Sequence, residues 1–269
     1  MRSLKTNSIN AYPSKTMNTN VYGDARGAEQ ASHDRPSIEK LNVSPVDTRF
    51  RDRLLDGLTF STGAVDAICF LQLGKVFTAF MTGNIAFLGL RVANAGGPEW
   101  SAIIGAMVAF AVGVFLGTLI VNSKGERPSG MWPRHVTVAL GLSLLGHVGF
   151  LILWLAVHGH PSTDVATCLI CLWGAAMGMQ SAAVRSLHVE GVFTTAATAT
   201  FIFLFGDFTT WSKSAEERRR LRGVLIALFL GALAGGLLLE HARIYAPALP
   251  LVATAIVVTF AAVFFRKNE

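Results

Sequence analysis

Of the 269 residues, 52% are apolar and 15% charged, and stretches such as Gly223–Leu239 and Val136–Val157 are apolar all round. That excludes a soluble α/β domain, whose helices and strands keep a polar face. The formal net charge of +6 argues against nucleic acid as a partner, because the basic residues stand beside apolar segments where they touch anionic lipid and set orientation.

Residues 1–52 form a regime of their own, rich in Asn, Ser, Pro, Lys, Arg, Asp and Glu and almost without adjacent aliphatics. Such a stretch cannot bury enough surface to offset the entropy of ordering, so it is predicted to be a disordered cytoplasmic tail. No apolar core follows Arg2 and Lys5, and a secretory signal is not expected.

Eight apolar segments follow, at Leu55–Leu73, Phe77–Val92, Ser101–Val121, Val136–Val157, Val165–Leu187, Val192–Phe205, Gly223–Leu239 and Ala248–Phe265. Eight independent crossings would put Lys124, Arg127 and Arg134 opposite the basic N-terminal flank, against the positive-inside tendency. If the first two segments make one net crossing, and the fifth and sixth another, the basic loops share one face. Arg51, Arg53, Lys124, Arg127, Arg134, Lys213, Arg218–Arg220, Arg222, Arg266 and Lys267 then lie together. The reading is an all-α, polytopic membrane domain over residues 53–269, with six net crossings and both termini cytoplasmic. The lipid bilayer is its first partner.

The halves repeat. Phe77–Asn84 (FTAFMTGN) and Phe193–Thr200 (FTTAATAT) share Phe and two Thr at a shift of 193 − 77 = 116 positions. Gly113-x-x-x-Gly117 falls on Gly231-x-x-x-Gly235 at 231 − 113 = 118. Repeat 1 covers about 53–158 and repeat 2 about 165–266. Three crossings per half is an odd number, so the second copy enters the membrane upside down relative to the first. In secondary transporters of that kind, broken segments meet near the midplane and bind the solute. Gly74, Gly83 and Gly191 stand where a helix break needs them.

The stretch Gly63–Leu90 resembles the signature of the YoaK-like family of bacterial membrane proteins, also called domain of unknown function 1275. Gly63 and Asp66 in the first apolar segment, then Phe77, Thr82, Gly83 and Asn84 as Phe-x-x-x-x-Thr-Gly-Asn, carry the likeness. It implies a six-helix protein of the bacterial inner membrane and supplies no substrate. The polar tail exceeds the usual family pattern.

Asp66 is the first candidate for a solute or coupling-ion site, because a carboxylate inside an apolar segment needs a compensating partner. It is read either as a proton- or cation-binding group or as a structural tie to nearby donors. Thr82, Gly83 and Asn84 offer a hydroxyl, a close approach and an amide, suited equally to a small polar solute and to helix contact. Gln180 and Thr198 are the corresponding candidates from the second half, where Thr198, Ala199 and Thr200 replace Thr82, Gly83 and Asn84. Gly113, Gly117, Gly231 and Gly235, with Gly174 and Gly178, are helix-packing positions, and they would equally serve a homodimer face. His147 is read as an interhelical hydrogen-bonding residue or a proton relay, and Arg185, His188 and Glu190 as an interface cluster.

No G-x-S-x-G, H-E-x-x-H or phosphate-binding loop occurs, so no enzyme and no cofactor are expected. Cys168 and Cys171 lie in an apolar run without further ligands, Cys69 is alone, and His158-Gly-His160 with Asp164 reads as a turn, so no metal is expected. Two functions are consistent with this chain. One is a secondary permease for a small polar solute coupled to a proton or cation; the other is a non-transporting assembly or sensory protein whose Gly-rich faces bind a partner.

Overall fold

The computed structural model describes residues 45–123, 131–189, 197–210 and 213–265. Within them the chain is helical: α1 Pro45–Gln72, α2 Met81–Val92, α3 Trp100–Asn122, α4 Arg134–Ala156, α5 Thr163–Arg185, α6 Ala197–Thr210, α7 Ala215–His241 and α8 Ala248–Phe265, with a 3₁₀ turn at Arg243–Tyr245 before α8. Six helices are long and apolar enough to cross a membrane: α1, α3, α4, α5, α7 and α8 with its leading turn. The 12 residues of α2 and 14 of α6 extend only about 18 and 21 Å, short of a hydrocarbon core of about 30 Å. The protein is therefore a six-span helical membrane protein, and the second and sixth apolar segments are the ones that do not cross.

Contacts between helix ends define the two faces. On one, Arg49 meets Glu216 at 3.6 Å, Phe50 stacks on Phe264 at 4.0 Å between ring centroids and Trp132 stacks on Phe265 at 5.6 Å. This face holds the starts of α1, α4 and α7 and the end of α8. On the other, the Arg243 guanidinium donates to the Gly159 carbonyl at 2.9 Å and to Gln72 Oε1, while Gly74 packs against Ala102. The ends of α1, α4 and α7 and the start of α3 lie there.

The first face begins earlier in the sequence than expected. Residues 45–52, assigned to the tail by composition, already form the first turns of α1. Pro45 needs no N–H at a helix start, Asp47 complements the helix dipole, and Phe50 and Arg49 gain the contacts just described. On the same face Ser214 caps α7: its hydroxyl accepts from the Glu217 N–H at 3.2 Å while the Glu217 carboxylate accepts from the Ser214 N–H at 2.8 Å, a reciprocal capping box.

Helices α1 and α5 are the central pair. Of their apolar stretches 61% and 50% are buried, against 22%, 33%, 28% and 22% for α3, α4, α7 and α8. Against each central helix lies one partner at backbone contact. A Cβ on Gly231 of α7 would overlap the Phe60 carbonyl of α1, and one on Gly113 of α3 would overlap the Ala175 carbonyl of α5. Reciprocally, a Cβ on Gly63 of α1 would overlap the Leu228 carbonyl and lie 2.9 Å from Ala232 N, and one on Gly178 of α5 would overlap the Phe110 carbonyl and lie 2.8 Å from Val114 N.

The two interfaces use the same atoms in the same order. Gly113 to Gly231 and Phe110 to Leu228 are both shifts of 118 positions (231 − 113, 228 − 110), and Phe60 to Ala175 and Gly63 to Gly178 are both shifts of 115 (175 − 60, 178 − 63). Gly117 and Gly235 sit in the same seams, against Ala182 and Met179 and against Ala64. All four packing glycines are thus covered from within the chain. Polar ties cross the bundle beside them: Ser61 Oγ and Thr254 Oγ1 lie 2.8 Å apart, and the Ser61 hydroxyl is 3.1 Å from the Pro250 carbonyl.

Candidate functional site

The helix α1 ends at Gln72, and Gly74 follows with a φ of +111°, a backbone conformation open to glycine and costly for other residues. The chain does not continue outward. It turns back along α1, so that the backbone N–H of Thr78 meets Asp66 Oδ1 at 2.8 Å and that of Ala79 meets it at 2.9 Å, with the Thr78 hydroxyl at 3.2 Å. Asp66 lies six residues before the end of α1 (72 − 66), about 9 Å in helical rise. The segment therefore re-enters the bundle to that depth before α2 runs back out from Met81.

Irregular backbone at membrane depth persists only where its N–H and C=O groups find partners. Asp66 supplies them from below, and Asn84 from above. The Asn84 side-chain oxygen accepts from the Phe77 N–H at 3.0 Å and its amide nitrogen donates to the Phe77 carbonyl at 2.6 Å. Asn84 is fully buried, and both halves of its amide close on the backbone of one residue, Phe77. Gly83 leaves room for the rings above it: a Cβ there would lie 2.8 Å from Phe80 and 3.0 Å from Phe77.

Beside this segment opens a cavity of about 540 Å³, lined among the described residues by Thr62, Gly63, Asp66, Ala67, Phe70 and Leu71 of α1, Phe77 and Phe80 of the re-entrant segment, Ala197 and Thr198 of α6, and Leu228 and Ala232 of α7. Its size is that of a small-molecule site. Asp66 is the ionisable group in that lining. Its Oδ1 takes all three of those bonds and Oδ2 none of them, the Phe80 N–H also faces the carboxylate, and Asp66 lines the cavity. The Thr62 hydroxyl donates to the Leu58 carbonyl at 3.0 Å and receives the Gln180 amide at 2.9 Å.

The residues singled out by sequence separate into three groups. Asp66 and Thr198, one from each half, share the cavity. Gln180 stands one residue behind it, through Thr62, with its Oε1 unpartnered among the described residues. Asn84 and Gly83 support the re-entrant segment, and Thr82 is exposed on α2 outside the cavity lining. Thr200, the octet counterpart of Asn84, is likewise fully buried.

His147 differs from its reading as a hydrogen-bonding residue. It is fully buried, and neither ring nitrogen has a partner among the described residues. Its neighbour is the Trp173 ring, 6.3 Å between centroids, in an aromatic cluster where Phe150 stacks on Trp173 at 3.4 Å. Cys69, Cys168 and Cys171 are free thiols. The readings placed on Lys124, Arg127, Glu190, Gly191, Phe193–Ala196, Arg266, Lys267 and residues 1–44 fall outside the described residues.

Asp207 was not singled out by the sequence. It is 3% exposed, its Oδ1 accepts from the Lys213 N–H at 2.6 Å, and its Oδ2 meets the Arg218 guanidinium at 3.1 Å. The pair ties the end of α6 to the start of α7. A lone acid closing an apolar run, with arginines just beyond, was the available signal. The aromatic lining of the cavity left no such trace, since phenylalanines are distributed through most of the spans.

A family model described as "Protein of unknown function (DUF1275)" matches residues 54–262. The UPF0700 transmembrane protein YoaK of Bacillus subtilis (strain 168) is 33% identical over 160 residues, covering 60% of this chain and 68% of that protein. No solved structure matches the chain.

Proposed function

The chain belongs to the DUF1275 family of membrane proteins, and with that as premise we propose that it is a secondary permease built of two inverted repeats, about 53–158 and 165–266, whose solute binds beside Asp66. The observation that carries this reading is the cavity itself. It lies where the chain breaks from helix to re-entrant segment and it is lined from both halves, by Asp66, Phe77 and Phe80 on one side and Thr198 on the other. Broken segments of paired repeats are where such transporters hold their solutes. The matched α1–α7 and α5–α3 interfaces support the repeat, and three spans per half make it inverted.

Asp66 is the coupling group of the proposed cycle, exchanging a proton or another cation as the site turns from one face to the other. Asp66→Asn tests this, because an amide oxygen still accepts from Thr78 and Ala79 while the ionisable group is gone. Purified protein in liposomes with an entrapped pH-sensitive dye is expected to move protons when a transported solute is added. The Asn variant is expected to exchange solute without that proton movement. Unchanged coupling in the variant would make the carboxylate purely a splint.

The face carrying Arg49, Arg51, Arg53, Arg134, Lys213 and Arg218–Arg222 is proposed to be cytoplasmic, in a bacterial inner membrane, by the positive-inside tendency. In a background lacking Cys69, Cys168 and Cys171, a thiol at Ser214 is expected to react only from the cytoplasm and one at Ala95 only from outside. Labelling of Ser214→Cys from outside would reverse the assignment. The assembly reading required free Gly-rich faces, and Gly113, Gly117, Gly231 and Gly235 are already occupied by helices of the same chain.

A further inference from the structure

We propose that the solute of this cavity is an amphipathic organic cation, its charged centre held by the second oxygen of Asp66 among Phe70, Phe77 and Phe80, its apolar part lying along Leu71, Leu228 and Ala232. The inference rests on the permease reading for its transport but not for its binding. Three features of the lining select this class over the small polar solute expected from the sequence.

The first is charge. Among the described lining residues Asp66 is acidic and none is basic, so a cation finds its counter-charge in the lining itself. The second is the aromatic wall. Phe70 and Phe77 stack at 5.0 Å, Phe77 stacks also on Phe87 at 6.2 Å, and Phe80 meets Phe77 edge-on at 5.4 Å. Phe80 is thus the lining ring not stacked on another, and ring faces attract cations through their quadrupole. The chain already contains one such contact, with the Lys75 ammonium 5.5 Å from the Phe70 centroid.

The third is the scarcity of hydrogen-bonding groups. The Thr62 hydroxyl donates to the Leu58 carbonyl and accepts from Gln180, which leaves the Thr198 hydroxyl and the Asp66 carboxylate among alanine, leucine and phenylalanine. A sugar or amino acid would leave several polar groups unpaired against apolar walls, at about 1–3 kcal/mol each in general. An alkyl or aryl chain would not. Leu71, Phe80 and Thr198 of the lining are exposed, which suits a ligand that partitions into the bilayer.

The probes are hexyltrimethylammonium, hexanol and hexanesulfonate, one alkyl chain with three head charges, titrated calorimetrically into the full chain in phosphatidylcholine nanodiscs with empty nanodiscs as the blank. The ammonium is expected to bind saturably and about ten-fold tighter than hexanol, with no saturable binding of the sulfonate. Asp66→Asn is expected to weaken the ammonium by about ten-fold, and Phe80→Leu, which leaves the Asp66 splint intact, by about three-fold. Equal affinity across the three probes, preference for the sulfonate, or unchanged ammonium affinity in Phe80→Leu overturns the proposal; should Asp66→Asn fail to fold, the probe series and Phe80→Leu decide. Ammonium binding without solute-triggered proton movement would remove the permease reading and leave this one, whereas proton movement triggered by an uncharged solute with no ammonium binding would do the reverse.

Discussion

Alanine at Gly231 is expected to destabilise the folded protein by about 3 kcal/mol or more, while alanine at Gly236 in the same helix is expected to be neutral or stabilising. An added Cβ at Gly231 would overlap the Phe60 carbonyl and lie 2.7 Å from its carbon, whereas one at Gly236 meets nothing within 4 Å. Phe60 belongs to the most buried helix of the bundle, and its backbone cannot withdraw without opening the seam that Gly63, Gly231 and Gly235 close together. At Gly236 the methyl faces outward and exchanges a poor helix former for a good one, a gain of about 0.5–1 kcal/mol. Thermal unfolding of the purified variants in one detergent measures the contrast. Gly113→Ala is expected to lose as much as Gly231→Ala, since its Cβ would meet Ala175 through the same atoms. Gly231→Ala and Gly236→Ala melting together would mean that the α1–α7 seam is looser than described, and unequal losses at Gly113 and Gly231 would count against equivalent halves.

The spans and the first break were legible in the sequence because each rests on composition over many residues. Hydropathy located all eight segments, the basic loops made one net crossing of the first two and another of the fifth and sixth, and the octet Phe77–Asn84 after Gly74 marked the first break. Pairing was not legible. Asp66 finds its donors at Thr78 and Ala79, and Asn84 finds Phe77, only once the chain has folded back, and no periodicity encodes that return. The 115-position shift between α1 and α5 was hidden for a related reason: Gly63 and Gly178 are needed only at the points where a neighbouring carbonyl approaches, and the residues between them are free to differ. Asp66 and Asn84 looked alike from sequence, as polar residues in an apolar run. Geometry separates them, because both polar atoms of Asn84 are engaged by the backbone of one residue, Phe77, outside the cavity lining, whereas Asp66 lines the cavity and takes its three bonds from the re-entrant segment on one oxygen.

That separation yields the second large effect. Asn84→Ala is expected to cost about 2–5 kcal/mol of stability, since it strands the N–H and the C=O of Phe77 in a buried site where each lost partner costs about 1–3 kcal/mol. The loss should be felt locally first. Without the Asn84 clasp, the segment Gly74–Phe80 keeps Asp66 and the packing of Val76, Phe77 and Ala79, so hydrogen exchange at Thr78 and Ala79 is expected to rise before the six spans unfold. Asn84→Thr is expected to fall between wild type and alanine, because one hydroxyl can replace one of the two bonds; the second half carries Thr200 at the corresponding buried position. A direct solute ligand would behave otherwise: alanine would weaken solute binding while leaving melting temperature and exchange unchanged. Measuring melting, exchange and ammonium affinity on the same Asn84→Ala preparation therefore distinguishes the two roles. A stable variant with native protection at Thr78 and Ala79 and weakened binding would return Asn84 from the support of the re-entrant segment to the site itself.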